Sequence, residues 1–123
     1  MKLGLIAVAA LALAGCASTG STALGPNHYA PTPEGAPMAV YMKEADVGCP
    51  FEPVAFVHRY DPGKYRRLSL PDAMPYLYEE ARSHGANGII VDEQQVIVSG
   101  IFSRGIEVKG RAIRATCAIG TNG

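Results

Sequence analysis

The sequence predicts an α+β domain, a two-layer sandwich in which one helix lies on a small, mostly antiparallel sheet in the order β-β-α-β-β. Three observations carry this. From Asp72 onward Met74, Leu77, Tyr78 and Ala81 recur at three- and four-residue spacing while Glu79, Glu80, Arg82 and Ser83 take the other side, the signature of a helix with one apolar face. Runs rich in β-branched and aromatic residues stand on both sides of it, at 54–60 and at 89–98, and such runs suit strands. Asp61-Pro62-Gly63-Lys64 and Asn87-Gly88 supply turns between them, with Pro fixing φ and Gly permitting positive φ. Strands segregated around a single helix favour this arrangement over a parallel βαβ repeat.

Taken in order, residues 38–42 (Met-Ala-Val-Tyr-Met) form a first, edge strand, too short for a helix. Glu44, Asp46, Gly48 and Pro50 break the pattern before the second strand at 54–60. With Asp72 as N-cap, Pro75 falls in the first turn, where a missing N–H costs no bond; a cap at Ser69 would place Pro75 where it kinks the helix. Gly85 is the expected C′ residue, with Arg82 and His84 in a last turn whose dipole favours positive charge. A third strand runs through Ile89-Ile90-Val91 and Val96-Ile97-Val98 until Ser99-Gly100. In the last, Ile106, Val108 and Ala112 alternate with Glu107, Lys109 and Arg111, and Gly110 is expected to mark a bulge. A domain of this length buries only a modest core.

The N-terminus predicts an address. Lys2 gives a positive start, Leu3 to Ala14 are uncharged and apolar, and Ala14-Gly15 are small residues at a cleavage point, the pattern of a signal peptide. The apolar run is about a dozen residues, against the roughly 20 that span a bilayer as a helix. Leu13-Ala14-Gly15-Cys16 resembles the lipobox of bacterial lipoproteins. The resemblance implies a diacylglycerol on the Cys16 sulfur and an acyl chain on its freed amine, and several chains on one residue hold a protein stably where one does not. In lipoproteins an aspartate just after this cysteine retains the protein at the inner membrane. Here Ala17 and Ser18 follow, which implies the outer membrane, with the domain facing the periplasm. The expected organisation is a signal peptide at 1–15, a lipidated cysteine and flexible tether at 16–37, the α+β domain at 38–118 and a disordered tail at 119–123. The tether is rich in Ser, Thr, Gly and Pro without an apolar period, and His28 and Tyr29 within it are read as incidental.

Lys plus Arg and Asp plus Glu each number 11, and loss of Lys2 with the leader makes the mature chain slightly acidic. It lacks the basic excess that a nucleic-acid backbone requires. With Cys16 committed to lipid, Cys49 and Cys117 remain as an even pair in an oxidising compartment and are predicted to be bonded, provided their α-carbons come within about 7 Å.

No phosphate loop, Cys-x-x-Cys, HExxH or nucleophile elbow is present, so no catalytic residue, cofactor or metal site is assigned. His58, His84, Cys49 and Glu80 lack ligand spacing. Arg59, Tyr60, Lys64, Tyr65, Arg66 and Arg67 form the densest cationic and aromatic segment and are the candidate binding residues, suited to lipopolysaccharide phosphate, a glycan or an acidic protein face through bidentate Arg contacts and Tyr stacking. The favoured reading is a non-catalytic lipoprotein domain that binds an envelope partner or its own copies. The alternative is a metal-handling or enzymatic protein with a dispersed site built from residues such as His58, Cys49 and Glu80.

Residues 81–91 (Ala-Arg-Ser-His-Gly-Ala-Asn-Gly-Ile-Ile-Val) resemble the helix-to-strand element of a group of small periplasmic domains, with 49–55 and 108–113 resembling its flanking strand elements. That group includes the outer-membrane sensor lipoprotein of the Rcs envelope-stress phosphorelay and a small ring-forming family labelled heavy-metal-binding. The likeness spans roughly 49–113 and its motifs are structural, so it implies a fold and an envelope setting, and no catalytic residue carries over. The stress sensor uses four cysteines in two disulfides and has a long proline- and charge-rich linker. This chain has two cysteines to pair and lacks that linker, so no role in that relay is assigned.

Overall fold

A computed structural model describes residues 16–117 of the chain; the expected leader at 1–15 and tail at 119–123 lie outside the described residues. The elements are β1 (Ser18–Ala23), β2 (Ala39–Tyr41), a 3-10 turn (Glu44–Val47), β3 (Phe51–Asp61), α1 (Leu70–Ser83), β4 (Gly88–Gly100) and β5 (Ser103–Ala115). They form one five-stranded sheet in the order β1-β3-β5-β4-β2. β2 runs parallel to β4 and every other pairing is antiparallel. The expected α+β sandwich is therefore present, with α1 as its second layer and one more strand than the sequence reading gave.

Alternation along the strands builds the core. Val57 of β3, Ile89 and Val91 of β4, and Ile106, Val108 and Ala112 of β5 turn to one face and bury against Ala73, Met74, Leu77 and Ala81 of α1. Among the described residues the opposite face is covered at one end, where Val47 of the 3-10 turn packs on Ile90 and Ile113. Arg111 fastens that turn, reaching the Asp92 carboxylate at 2.9 and 2.8 Å and Glu44 at 3.0 Å. The bonds to Asp92 and then Glu44 hold its guanidinium protonated even more firmly than usual. The same end carries the expected disulfide: Cys49 and Cys117 are bonded, with α-carbons 6.0 Å apart.

Two expectations about local structure are corrected. The helix starts a turn earlier than Asp72: Ser69 is the N-cap, and its N–H donates to the Asp72 carboxylate at 2.7 Å. Asp72 supplies the N3 acceptor of a capping arrangement instead of the cap itself, and Pro75 lies inside the helix. Pro75 is exposed, so Pro75→Ala removes no core packing and restores a helical N–H. The expected result is a gain of about 1–2 kcal/mol in unfolding free energy, read by thermal or denaturant melts. The C-terminus follows the sequence reading: Gly85 takes φ +78°, and Ala86 N–H to Ala81 O at 3.1 Å with Gly85 N–H to Arg82 O at 2.9 Å closes a Schellman motif. The second correction concerns Gly110, which is not itself bulged. The register shifts opposite it, between Val91 and Glu93 of β4, and a Cβ at 110 would lie 2.4 Å from the Ile90 carbonyl oxygen.

The tether expected at 16–37 is corrected most. Residues 18–23 pair along six positions with Tyr60 to Ala55 of β3. Thr19 accepts from Arg59 Nη1 at 2.8 Å, and Ser21 donates to Glu80 Oε2 at 2.7 Å. The stretch that follows is also tied down. Leu24 N–H bonds Val54 O and Thr32 N–H bonds Arg82 O, both at 2.9 Å, while Arg114 stacks 4.0 Å over the Tyr29 ring. A strand without large apolar residues is stable here because its hydroxyls satisfy charged side chains of the packed layers. Only Ala17 separates Cys16 from β1.

Candidate interaction surface

The six residues singled out by charge and aromaticity divide. Arg59 is 7% exposed, because Val57 and Arg59 lie two apart on one strand and share the helix-facing side. Its guanidinium meets Asp61 at 3.1 Å, bonds Thr19 and lies 3.5 Å over the Tyr76 ring. Arg59 is therefore a buried strut joining β1, β3 and α1, and it is withdrawn from the binding set. Tyr60, on the other side of β3, is half-buried. Lys64, Tyr65, Arg66 and Arg67 are exposed, in the loop between β3 and α1.

That loop is fixed against the start of β5. Leu68 N–H bonds Arg104 O and Arg104 N–H bonds Arg66 O, each at 2.8 Å; Tyr65 N–H donates to Ser103 Oγ at 2.9 Å. These bonds hold Tyr65 at φ +57°, a left-handed conformation that side chains other than Gly seldom adopt. Two glycines allow the close approach: a Cβ at Gly63 would lie 2.4 Å from Arg104 O, and one at Gly105 2.2 Å from Asp61 O. The cationic loop is thereby placed beside the β4–β5 hairpin tip, where Ile101 is 87%, Val98 79% and Phe102 74% exposed.

Sequence reasoning assigned Val98 to a strand and passed over Ile101 and Phe102. Their signal was legible in one respect: an apolar Ile-Phe pair sits between Gly100 and Ser103, where a hairpin turn ordinarily carries polar residues. The tip stands beyond the cover of α1, so nothing within the described chain buries it.

The residues of the dispersed-site reading do not converge. Cys49 is consumed in the disulfide. His58 lies on the sheet face away from α1, against Gly20 of β1. Glu80 is on α1, where Ser21 Oγ donates to it and also lies 2.9 Å from His84 Nε2. Among the described residues no group of three His, Cys, Asp or Glu side chains is placed to hold a metal ion, and no helix is long and apolar enough to cross a membrane.

Tyr29, read as incidental, is instead a clamp. Its hydroxyl donates to Glu52 at 2.5 Å and Asn27 donates to the same carboxylate at 3.0 Å. These bonds, Tyr29 first, hold the Glu52 carboxyl below its ordinary range, and the same carboxylate pushes the Tyr29 phenol up. Because Glu52 is the stronger acid when folded, its contribution to stability is present above the unfolded value, about pH 4.3, and is lost as pH falls through the lower folded value. That of Tyr29 is present below its unfolded value and lost as pH rises through the raised one. In acid melts below about pH 4, Glu52→Gln should lose less stability than the native chain does.

Comparison of the chain with protein-family models, with characterised proteins and with solved structures finds no match.

Proposed function

We propose that the protein is an outer-membrane lipoprotein, cut before Cys16 and acylated there, whose small non-catalytic domain faces the periplasm and serves in binding, sensing or maintenance of the envelope. The observation that carries this is Leu13-Ala14-Gly15-Cys16 directly after a positive, then apolar, leader. The fold adds a constraint on how the domain is held. With Ala17 alone between Cys16 and β1, the domain sits against its membrane and has no long reach into the periplasm. The surface it offers for binding is Lys64, Tyr65, Arg66 and Arg67, together with the adjoining hairpin. The enzymatic or metal-handling reading draws no support from His58, Cys49 and Glu80, which lie apart.

Membrane fractionation tests the anchor and the address. The native chain should sediment with the outer membrane, and Cys16→Ala should abolish acylation and leave uncut precursor. Ala17→Asp should keep acylation but move most of the protein to the inner membrane. An unchanged distribution for both variants would contradict the proposal.

A further inference from the structure

We propose that the β4–β5 hairpin is a membrane wedge: Ile101 and Phe102 enter the interface of the same bilayer that holds the lipid on Cys16, while the neighbouring loop sets its cations on anionic head-group phosphates. This inference rests on the lipid-anchor reading. The strand registers place it. Ser18 is level with Tyr60, Glu107 and Gln95 across β1, β3, β5 and β4, so Cys16 leaves the sheet at the end from which the hairpin projects. Beyond Gln95, β4 continues through Val96 to Gly100, carrying the tip roughly 17 Å past the start of β1 at about 3.3 Å per residue. Cys16 recovers at most about 7 Å of this. A domain whose acylated cysteine lies at the bilayer surface therefore drives the tip roughly 10 Å further in, close to the depth at which apolar side chains rest in the head-group and acyl boundary.

The chemistry of that end suits one occupant. Ile101, Phe102 and Val98 are the three most exposed large apolar residues apart from Tyr65, and contiguous exposed apolar surface marks an interaction site. Lys64, Arg66 and Arg67 surround it and are exposed, and Arg104 next to the turn is exposed as well. An apolar tip ringed by cations fits a lipid surface, where rings and aliphatic groups sink while guanidinium and ammonium groups meet phosphate. Tyr65, 77% exposed, is the residue type that prefers this depth. Such contacts would fix the orientation of the domain on the membrane, leaving the α1 C-terminus and the disulfide end pointing away from it.

The chain contains no tryptophan, so one introduced indole reports alone. Phe102→Trp, and as a second probe Ile101→Trp, are made in the full chain, purified after acylation and reconstituted into vesicles of phosphatidylethanolamine and phosphatidylglycerol with bromines in the upper acyl chain. Thr116→Trp, exposed near the opposite end, is the control. The expected result is a blue-shifted Phe102→Trp emission that loses most of its intensity to the bromines and resists aqueous iodide, with Thr116→Trp behaving oppositely. Intact mass of the same samples reports acylation separately. An acylated protein whose tip indole is open to iodide overturns the wedge and leaves the anchor standing. A tip shielded from iodide yet untouched by bromines means a second copy or another protein covers it, and likewise overturns the wedge. Absence of acyl mass overturns the anchor reading itself.

Discussion

Replacing Cys49 and Cys117 together by alanine should lower the unfolding free energy by about 4 kcal/mol, because the bond closes a loop 68 residues long and constrains the unfolded chain accordingly. For a domain of this size the loss corresponds to a thermal midpoint lower by roughly 15–30 °C. The bond joins the chain just before β3 to the chain just after β5, at the end where Val47, Ile90 and Ile113 make the small second cluster. Among the described residues the 3-10 turn is the cover on the sheet face there, and the cluster it closes is small. Reduction of the native protein should reproduce the loss seen in the double variant, measured by denaturant melts with and without reductant. A difference under about 1 kcal/mol would mean the two cysteines do little as a staple.

Arg59→Ala should cost about 3 kcal/mol. The substitution strips Asp61, whose side chain is 17% exposed, of its cation, removes the bond to Thr19 and leaves the Tyr76 ring without the guanidinium stacked on it. Most of that loss comes from a part-buried carboxylate that keeps only the Gly63 N–H, at 2.9 Å, once its cation is gone. Arg59→Lys should recover only part of the stability, since an ammonium cannot stack flat on Tyr76 while bonding two further groups. Arg66→Ala, in the exposed loop, should change stability by less than about 0.5 kcal/mol. Equilibrium melts of the three variants separate a strut from a surface charge; equal effects at 59 and 66 would contradict a buried structural role for Arg59.

The disulfide and the Arg59 strut also mark where sequence reading succeeds and where it fails. The Cys49 and Cys117 pairing was legible from parity and an expected oxidising compartment, although the fold had to bring the α-carbons together. The helix face was legible because Met74, Leu77 and Ala81 carry an unambiguous period, and the last strand because Ile106 and Val108 alternate with charges. Arg59 was misassigned because charge was weighed above alternation: Ala55, Val57 and Arg59 share the parity of one strand face, and that pattern pointed inward. β1 was hidden for a physical reason. Its inward residues are Thr19 and Ser21, half-buried and held by hydrogen bonds to Arg59 and Glu80, and no hydropathy period records a strand held that way. The helix start was misplaced because avoiding an internal Pro75 outweighed the Ser69 to Asp72 capping pair, whereas the fold accepts the proline on an exposed side. The hairpin tip escaped notice because Ile101 and Phe102 belong to a turn, and what they face depends on the orientation of the whole sheet.

The central claim is that Cys16 is the acylated first residue of the mature protein, and intact mass spectrometry of material extracted from its own membranes tests it most directly. The predicted result is a chain that begins at Cys16 with the added mass of a diacylglycerol and an amide-linked acyl group, and whose Cys49 and Cys117 take up alkylating agent only after reduction. A chain beginning elsewhere, or beginning at Cys16 without acyl mass, would contradict it.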